Sequence, residues 1–223
     1  MLHEDFIPQE YLPTFNSTCI EMFLHQIPNL SEYFLYANDD IFVTQPLIET
    51  HFFKRGKVKT HTFKGGDFNL LYGHHKINGY CLVFNQNKEH VLASGKVPSL
   101  SHVIRPYIKS QMQECFTKYQ AAILASISRF REIKNLNVYL FDYYAIKKRM
   151  SYPKEGINNL HISSLSDAAT WALIFNNNAQ YLEQRHINMI CIQDNRDDID
   201  IYSDVDLNTY FSTRYPAKSK YEK

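Results

Sequence analysis

The sequence predicts an α/β protein with an open mixed sheet and a helical middle section, and three observations carry that prediction. Short aromatic and β-branched runs lie towards both ends of the chain. Three stretches with helical spacing lie between them, and polar clusters follow directly on two of the strand-like runs. Composition agrees: 223 residues, 44% hydrophobic and 21% charged, suffice for a real core and exclude a disordered chain. The 24 Lys and Arg nearly cancel 23 Asp and Glu, which excludes wholesale electrostatic binding to nucleic acid. Against one Trp stand 16 Tyr and 15 Phe, an excess that suits amphipathic walls for polar ligands, sugars among them. Cys19, Cys81, Cys115 and Cys191 form no Cys-x-x-Cys pair, so neither a zinc site nor a disulfide framework is expected, and a reducing compartment is. No signal-peptide pattern opens the sequence and no apolar run is long enough to span a membrane, so a cytoplasmic location is expected.

In chain order, Pro8 and Pro13 keep the opening extended. Asn16-Ser17-Thr18 supplies N-cap chemistry for a helix carrying Ile20, Phe23, Leu24 and Ile27, which Pro28-Asn29 ends. Tyr33-Phe34-Leu35-Tyr36-Ala37 suits a buried strand, and Asn38-Asp39-Asp40 follows it, where open α/β sheets bind ligands. Leu47 to Phe63 reads as a hairpin turning at Lys54-Arg55-Gly56-Lys57; its cations either touch an anionic substrate or are a solvated edge. Helices are predicted from Ile77 to Leu92, from Pro106 to Ile127 and from Leu136 to Met150. Leu160-His161-Ile162, Ser166 to Asn176 and Asn188 to Gln193 read strand, helix, strand, with a second polar cluster at Asp194-Asn195-Arg196-Asp197-Asp198. Without a repeat or linker, residues 1–215 read as one domain and 216–223 as a polar tail.

Among residues that carry chemistry, Asn38-Asp39-Asp40 can hold a divalent cation such as Mg²⁺, position a diphosphate through it, or accept a hydroxyl proton; the same residues also favour a plain turn. Glu21, three residues after Thr18, matches a capping box. His102, just before Arg105-Pro106 at an expected loop-to-helix junction, can serve as general acid or base or simply start a helix. Arg129-Phe130-Arg131 sets two guanidinium groups on one side of an extended segment, a clamp for phosphate oxygens or a surface charge pair. His74-His75 lacks ligands at metal spacing, and Lys64-Gly65-Gly66-Asp67 lacks the Gly-Lys-Ser/Thr of a phosphate loop.

Taken together, these segments resemble the Stealth family of hexose-1-phosphate transferases. The second conserved block of that family resembles Asp5-Phe6-Ile7-Pro8, Tyr11 to Ser17, Ile20-Glu21, Leu24-His25, Ile27-Pro28, Leu30-Ser31-Glu32 and Tyr36 to Asp40. The third resembles Pro98, Ser101-His102, Arg105-Pro106, Lys109-Ser110 and Ser128 to Arg131, and the fourth is similar to Ile190 to Asp194. The family's first block, expected to help bind the sugar nucleotide, is missing from this sequence, so a chain truncated at its N-terminus is expected. After Arg131 the family's acidic run is reduced to Glu132. The resemblance implies a nucleotide-sugar transferase-like fold and transfer of a sugar-1-phosphate from a nucleotide diphosphosugar, a UDP-sugar by expectation, to a glycan hydroxyl in capsular or exopolysaccharide synthesis. It implies Asp40 or His102 as general base, Arg129 and Arg131 on transition-state charge, and Glu21 as an active-site residue. Asn16, Ser17, Asn38, Arg105 and Lys109 are then expected at substrate, Asp39 at Mg²⁺, and the chain beside membrane capsule-assembly machinery. Two alternatives stay open: a conventional glycosyltransferase releasing nucleoside diphosphate, and a non-catalytic glycan-binding remnant.

Overall fold

The computed structural model describes residues 1–63, 70–95, 97–153, 159–162, 182, 184–192 and 204–218. It is a mixed α/β structure with open sheets, as the sequence predicts, and its strands are shared among four small sheets. The chain divides into two compact units, residues 1–37 with 48–157 and residues 38–47 with 158–223.

In the first unit, helix α1 (Ser17–Met22) leads through a 3₁₀ turn at Leu24–Gln26 to strand β1 (Tyr33–Tyr36). On β1 the exposed Tyr33 and Leu35 alternate with the inward Phe34 and Tyr36, the period of two expected of a half-buried strand. After strand β2 (Ile41–Val43), which belongs to the second unit, come helix α2 (Glu49–Phe52) and the predicted hairpin of β3 (Phe53–Lys54) and β4 (Lys57–Thr60). Arg55 and Gly56 both take positive φ in its turn, the backbone that a tight two-residue hairpin requires. Strand β5 (Thr62–Phe63) precedes α3 (Leu71–Phe84) and α4 (Lys88–Ser94). The single helix expected over 77–92 is thus two: Asn85 turns left-handed at the end of α3, and the Asn87 side chain caps α4.

Strands β6 (Ser99–Leu100) and β7 (Arg105–Ile108) follow, so Arg105-Pro106 is strand rather than a helix start. Helices α5 (Lys109–Ser126) and α6 (Tyr139–Lys147) and strand β8 (Ser151–Pro153) complete this unit. β1 pairs antiparallel with β7, β5 with β6 and β3 with β4, while β8 runs parallel to β4. The core is built from α1, α3, α5 and α6, with Met22, Phe23, Ile77, Met112, Ile123, Leu140 and Tyr143 fully enclosed. Gly79 lets α3 close on α6, since a Cβ there would sit 3.4 Å from the Leu140 Cα.

In the second unit β2 (Ile41–Val43) pairs antiparallel with β10 (Met189–Ile192), which runs parallel to β9 (Asn159–Ile162). Helix α7 (Asp204–Arg214) places Phe211 against Phe42, ring centroids 4.5 Å apart. The strands predicted at 160–162 and 188–193 match β9 and β10. The helix predicted over 166–176, the polar cluster at 194–198 and the Lys64–Asp67 loop lie outside the described residues. Among the described residues, no helix is long and apolar enough to cross a membrane.

Candidate active site

Helix α1 starts at Asn16, and that start sets everything around Glu21. Asn16 Oδ1 accepts from the Thr18 N–H at 3.1 Å and from the Thr18 hydroxyl at 2.8 Å, so the cap is Asn16. The capping box expected of Thr18 and Glu21 does not form. Glu21 instead reaches inward, where its Oε2 accepts from the Val138 N–H at 2.8 Å and its Oε1 from the Tyr36 hydroxyl at 3.1 Å. Burial pushes the Glu21 carboxyl up from its ordinary range; the Val138 N–H, the Tyr36 hydroxyl and the charges of Arg105 and Arg131 pull it down.

The other end of the Asn16 side chain positions the arginine segment. Its Nδ2 donates to the Ser128 carbonyl at 3.1 Å, the Phe130 carbonyl at 3.2 Å and Asn135 Oδ1 at 3.1 Å. Asn135 Oδ1 also accepts from the Glu132 N–H, and its Nδ2 donates to Ser128 Oγ and the Ser126 carbonyl. Asn16 is therefore fully buried and engaged with protein at both ends of its amide, and it can act on a ligand only through the loop it holds. On that loop Arg131 donates to Ser17 Oγ at 2.7 Å, while the exposed Arg129 guanidinium has no hydrogen bond or ion pair among the described residues. Between them Phe130, 63% exposed, stacks on Phe15, 69% exposed, with centroids 5.5 Å apart.

The β1–β7 register sets Tyr36 opposite Arg105. Buried Arg105 donates to Asp142 Oδ2 at 3.1 Å and to the Ser101 carbonyl, and its guanidinium lies 3.9 Å from the centroid of the Tyr139 ring. Tyr107 completes the cover of Asp142, its hydroxyl donating to Oδ2 at 2.8 Å. Burial raises the Asp142 carboxyl, opposed by Arg105 and by the Tyr107 hydrogen bond. Tyr139 meets Tyr72 of α3 edge to face at 5.6 Å, and Tyr72 in turn meets the half-buried His102 edge to face at 6.4 Å. Lys76, one turn after Tyr72, holds its ammonium 5.1 Å from the Tyr72 centroid and 4.9 Å from that of Tyr139.

The first unit thus gathers Glu21, Arg105 and His102 around Tyr36, Tyr72 and Tyr139, with Arg131 and Ser17 at the start of α1. Lys109 is placed differently: its N–H bonds the Glu32 carbonyl and its ammonium the Leu30 carbonyl, which ties α5 to the turn before β1. Sequence reasoning missed Lys76, Tyr72, Tyr139 and Asp142. The available signal was the i, i+4 spacing of Tyr72 and Lys76, hidden because the helix was expected to begin at Ile77 and in fact begins at Leu71.

In the second unit Asn38-Asp39-Asp40 forms the turn into β2, closed by the Ile41 N–H on the Asn38 carbonyl at 3.3 Å. The Asp40 carbonyl accepts from the Ile192 N–H, and its carboxylate accepts from the Cys191 thiol at 3.4 Å. Burial and then the Asp40 charge push that thiol up, which keeps it protonated. Asp39 is exposed. Amide and carboxylate oxygens are the donors that a hard divalent cation takes.

Comparison with known proteins adds an independent line. Residues 1–61 match the model of conserved region 2 of the Stealth proteins. The capsular polysaccharide phosphotransferase LcbA of Aeromonas hydrophila is 35% identical over 62% of this chain and 40% of its own length. The capsular polysaccharide phosphotransferase WcwK of Streptococcus pneumoniae is 28% identical over 99% of this chain and 74% of its own length. A capsular polysaccharide phosphotransferase of Actinobacillus suis reaches 62% identity over 25% of this chain and 15% of its own. The chain thus spans 40% of the Aeromonas relative and 74% of the pneumococcal one.

Proposed function

We propose, from the premise that this chain belongs to the Stealth family through its conserved region 2, that it is a sugar-phosphate transferase of capsular or exopolysaccharide synthesis. In this reading an acceptor glycan hydroxyl attacks the sugar-bearing phosphorus of a nucleotide diphosphosugar. The new P–O bond makes a phosphodiester, the bond to the bridging oxygen breaks, nucleoside monophosphate leaves, and the hydroxyl proton passes to a base. Such a step depends on alignment and on neutralising the phosphoryl oxygens. The observation that carries the reading is buried Glu21, inside the region matched by the family model, within the field of Arg105 and Arg131 and beside a wall of tyrosines.

The roles follow from placement. Among the described residues Arg131 is exposed and anchored through Ser17 alone, which leaves its remaining donors for phosphoryl oxygens, and Arg129 beside it has all of its donors available. Glu21 fixes the Tyr36 hydroxyl and holds the cations in register, leaving lone pairs for a sugar hydroxyl. His102 is the candidate base for the acceptor in the first unit, and Asp40 is the candidate in the second. Arg105 is buried and engaged with Asp142 and Ser101, so it acts through its charge and through Tyr139 rather than by touching substrate. Asn38, Asp39 and Asp40 suit Mg²⁺, which would supply charge neutralisation to a diphosphate. Peripheral association with membrane-bound assembly machinery belongs to the same reading.

Product identity tests it. Full chain incubated with UDP-N-acetylglucosamine and acceptor glycan, with and without Mg²⁺, is expected to release UMP, and His102→Ala or Arg129→Ala to abolish release while unfolding stays cooperative. Release of UDP would make the chain a conventional glycosyltransferase, and undiminished release by both variants would overturn the assigned roles.

A further inference from the structure

Lys76 poses a problem that the roles above leave unsolved. Its ammonium stands over two tyrosine rings on the inner side of α3, and it makes no ion pair with any carboxylate among the described residues. The nearby cation Arg105 repels it, and the Asp142 charge that answers Arg105 is already engaged by that guanidinium and by Tyr107. Taking an ammonium out of water without a counter-charge is costly, and cation–π contacts return only part of that cost. A second group beside it has unused capacity: the hydroxyl of fully buried Tyr139 finds no hydrogen-bond partner of good geometry. A cation and a hydroxyl left over in one place are the complement of an anion with several acceptor oxygens.

We propose that Lys76, with Tyr139 beside it, is a phosphoryl-binding anchor of the first unit, taking a phosphate group of the diphosphosugar donor. The inference rests on the proposed function for the identity of its ligand, but the anchor itself requires only phosphate chemistry.

The anchor has a pH signature. Burial, and after it the charge of Arg105, brings the Lys76 ammonium down to about 8. The charged and titratable groups around it are Arg105 on β7, Tyr72 on α3, Tyr139 and Asp142 on α6, Glu21 on α1, Tyr36 on β1 and His102 against Tyr72. Arg105 stays protonated, because Tyr139, Asp142 and Tyr107 more than offset its burial. Tyr36, Tyr72 and Tyr139 are raised by burial and stay neutral. Lys76 is thus the group that changes charge just above neutrality. A bound anionic phosphate group favours the ammonium, so binding at pH 8 takes up protons, and affinity falls as pH climbs past 8.

Calorimetry of the full chain with inorganic pyrophosphate and, separately, UDP-N-acetylglucosamine reads this out, at pH 7 to 9.5 and in buffers of different ionisation enthalpy. Both are expected to bind, and UDP-N-acetylglucosamine, whose phosphates do not titrate in this range, with a fractional proton uptake near pH 8; pyrophosphate, which itself titrates here, reads affinity alone. In Lys76→Met affinity is expected to fall at least tenfold with the uptake gone, and in Lys76→Arg to persist without the pH dependence. The melting temperature of Lys76→Met is expected to be equal or higher, since an uncompensated buried charge has been removed; a lower one would make Lys76 structural and overturn the proposal. Equal pyrophosphate binding by wild type and Lys76→Met, or none by wild type, would also overturn it. Pyrophosphate binding without nucleotide-sugar binding would leave the anchor standing and remove the proposed donor instead.

Discussion

Asn135 and Asn137 lie two residues apart, both fully buried, and they meet opposite fates. Asn135 bonds Asn16, Glu132, Ser126 and Ser128, and so ties the start of α1 to the arginine loop. Neither side-chain polar atom of Asn137 has a hydrogen-bond partner among the described residues. The same contrast separates two regions of the first unit. The Asn16–Asn135 knot is closed, whereas around Arg105 and Tyr139, among the described residues, a lysine has no ion pair and the Tyr139 hydroxyl, beside Tyr72, has no hydrogen bond of good geometry. Buried polar groups left unsatisfied cost stability, and native proteins concentrate such costs where function requires them. The knot is closed without a ligand, and the tyrosine-walled region is the one proposed above to bind one.

Breaking the pair beneath that region has the largest effect. Arg105→Met leaves Asp142 buried and uncompensated, and is expected to cost about 3–5 kcal/mol in denaturant unfolding. Cutting the knot comes next: Asn135→Ala takes their side-chain partner from the Glu132 N–H and the Ser126 carbonyl, and is expected to cost about 2–3 kcal/mol. Glu21→Gln sharpens the contrast. The raised Glu21 carboxyl means that its charge is held at a cost above its folded pKa, so at pH 7 the glutamine variant is expected to be as stable as wild type or more so, while transfer is lost. Smallest is Phe130→Ala, which removes an exposed stack and is expected to change stability by less than about 1 kcal/mol.

A pH experiment probes a third kind of buried group. His25 packs between Phe116 and Phe141, and burial, with Lys109 nearby, brings its imidazole down to about 4. Its folded pKa lies below the unfolded value, so its contribution is complete above pH 6.5 and is lost as pH falls from there to about 4. The melting temperature is expected to drop across that window, and His25→Phe to drop less. Equal slopes would assign the loss to other groups.

Legibility from sequence followed the range of the interactions. The aromatic strand, the Arg55-Gly56 hairpin and α5 are local patterns, and the structure reproduces them with shifted ends. The break between α3 and α4 was written in Asn85 and Asn87, which carry turn and cap chemistry, but helical spacing on both sides concealed it. Glu21 shows the limit most clearly. Its spacing to Thr18 fits a cap, and only the long-range bond to the Val138 N–H, from a segment 117 residues away, takes it inward. For Lys76 the local spacing could give the Tyr72 contact, but no local rule reports that it will also cover Tyr139 once α3 packs on α6.

The proposed nucleotide diphosphosugar site is the arginine-bearing, tyrosine-walled end of the first unit. Calorimetric titration of UDP-N-acetylglucosamine into wild type and Arg131→Ala tests it most directly, because Arg131 is exposed and bonds only Ser17, so its loss leaves folding intact. Wild type is expected to bind saturably, and the variant at least tenfold more weakly at an unchanged melting temperature. Equal affinity in the two proteins would contradict it.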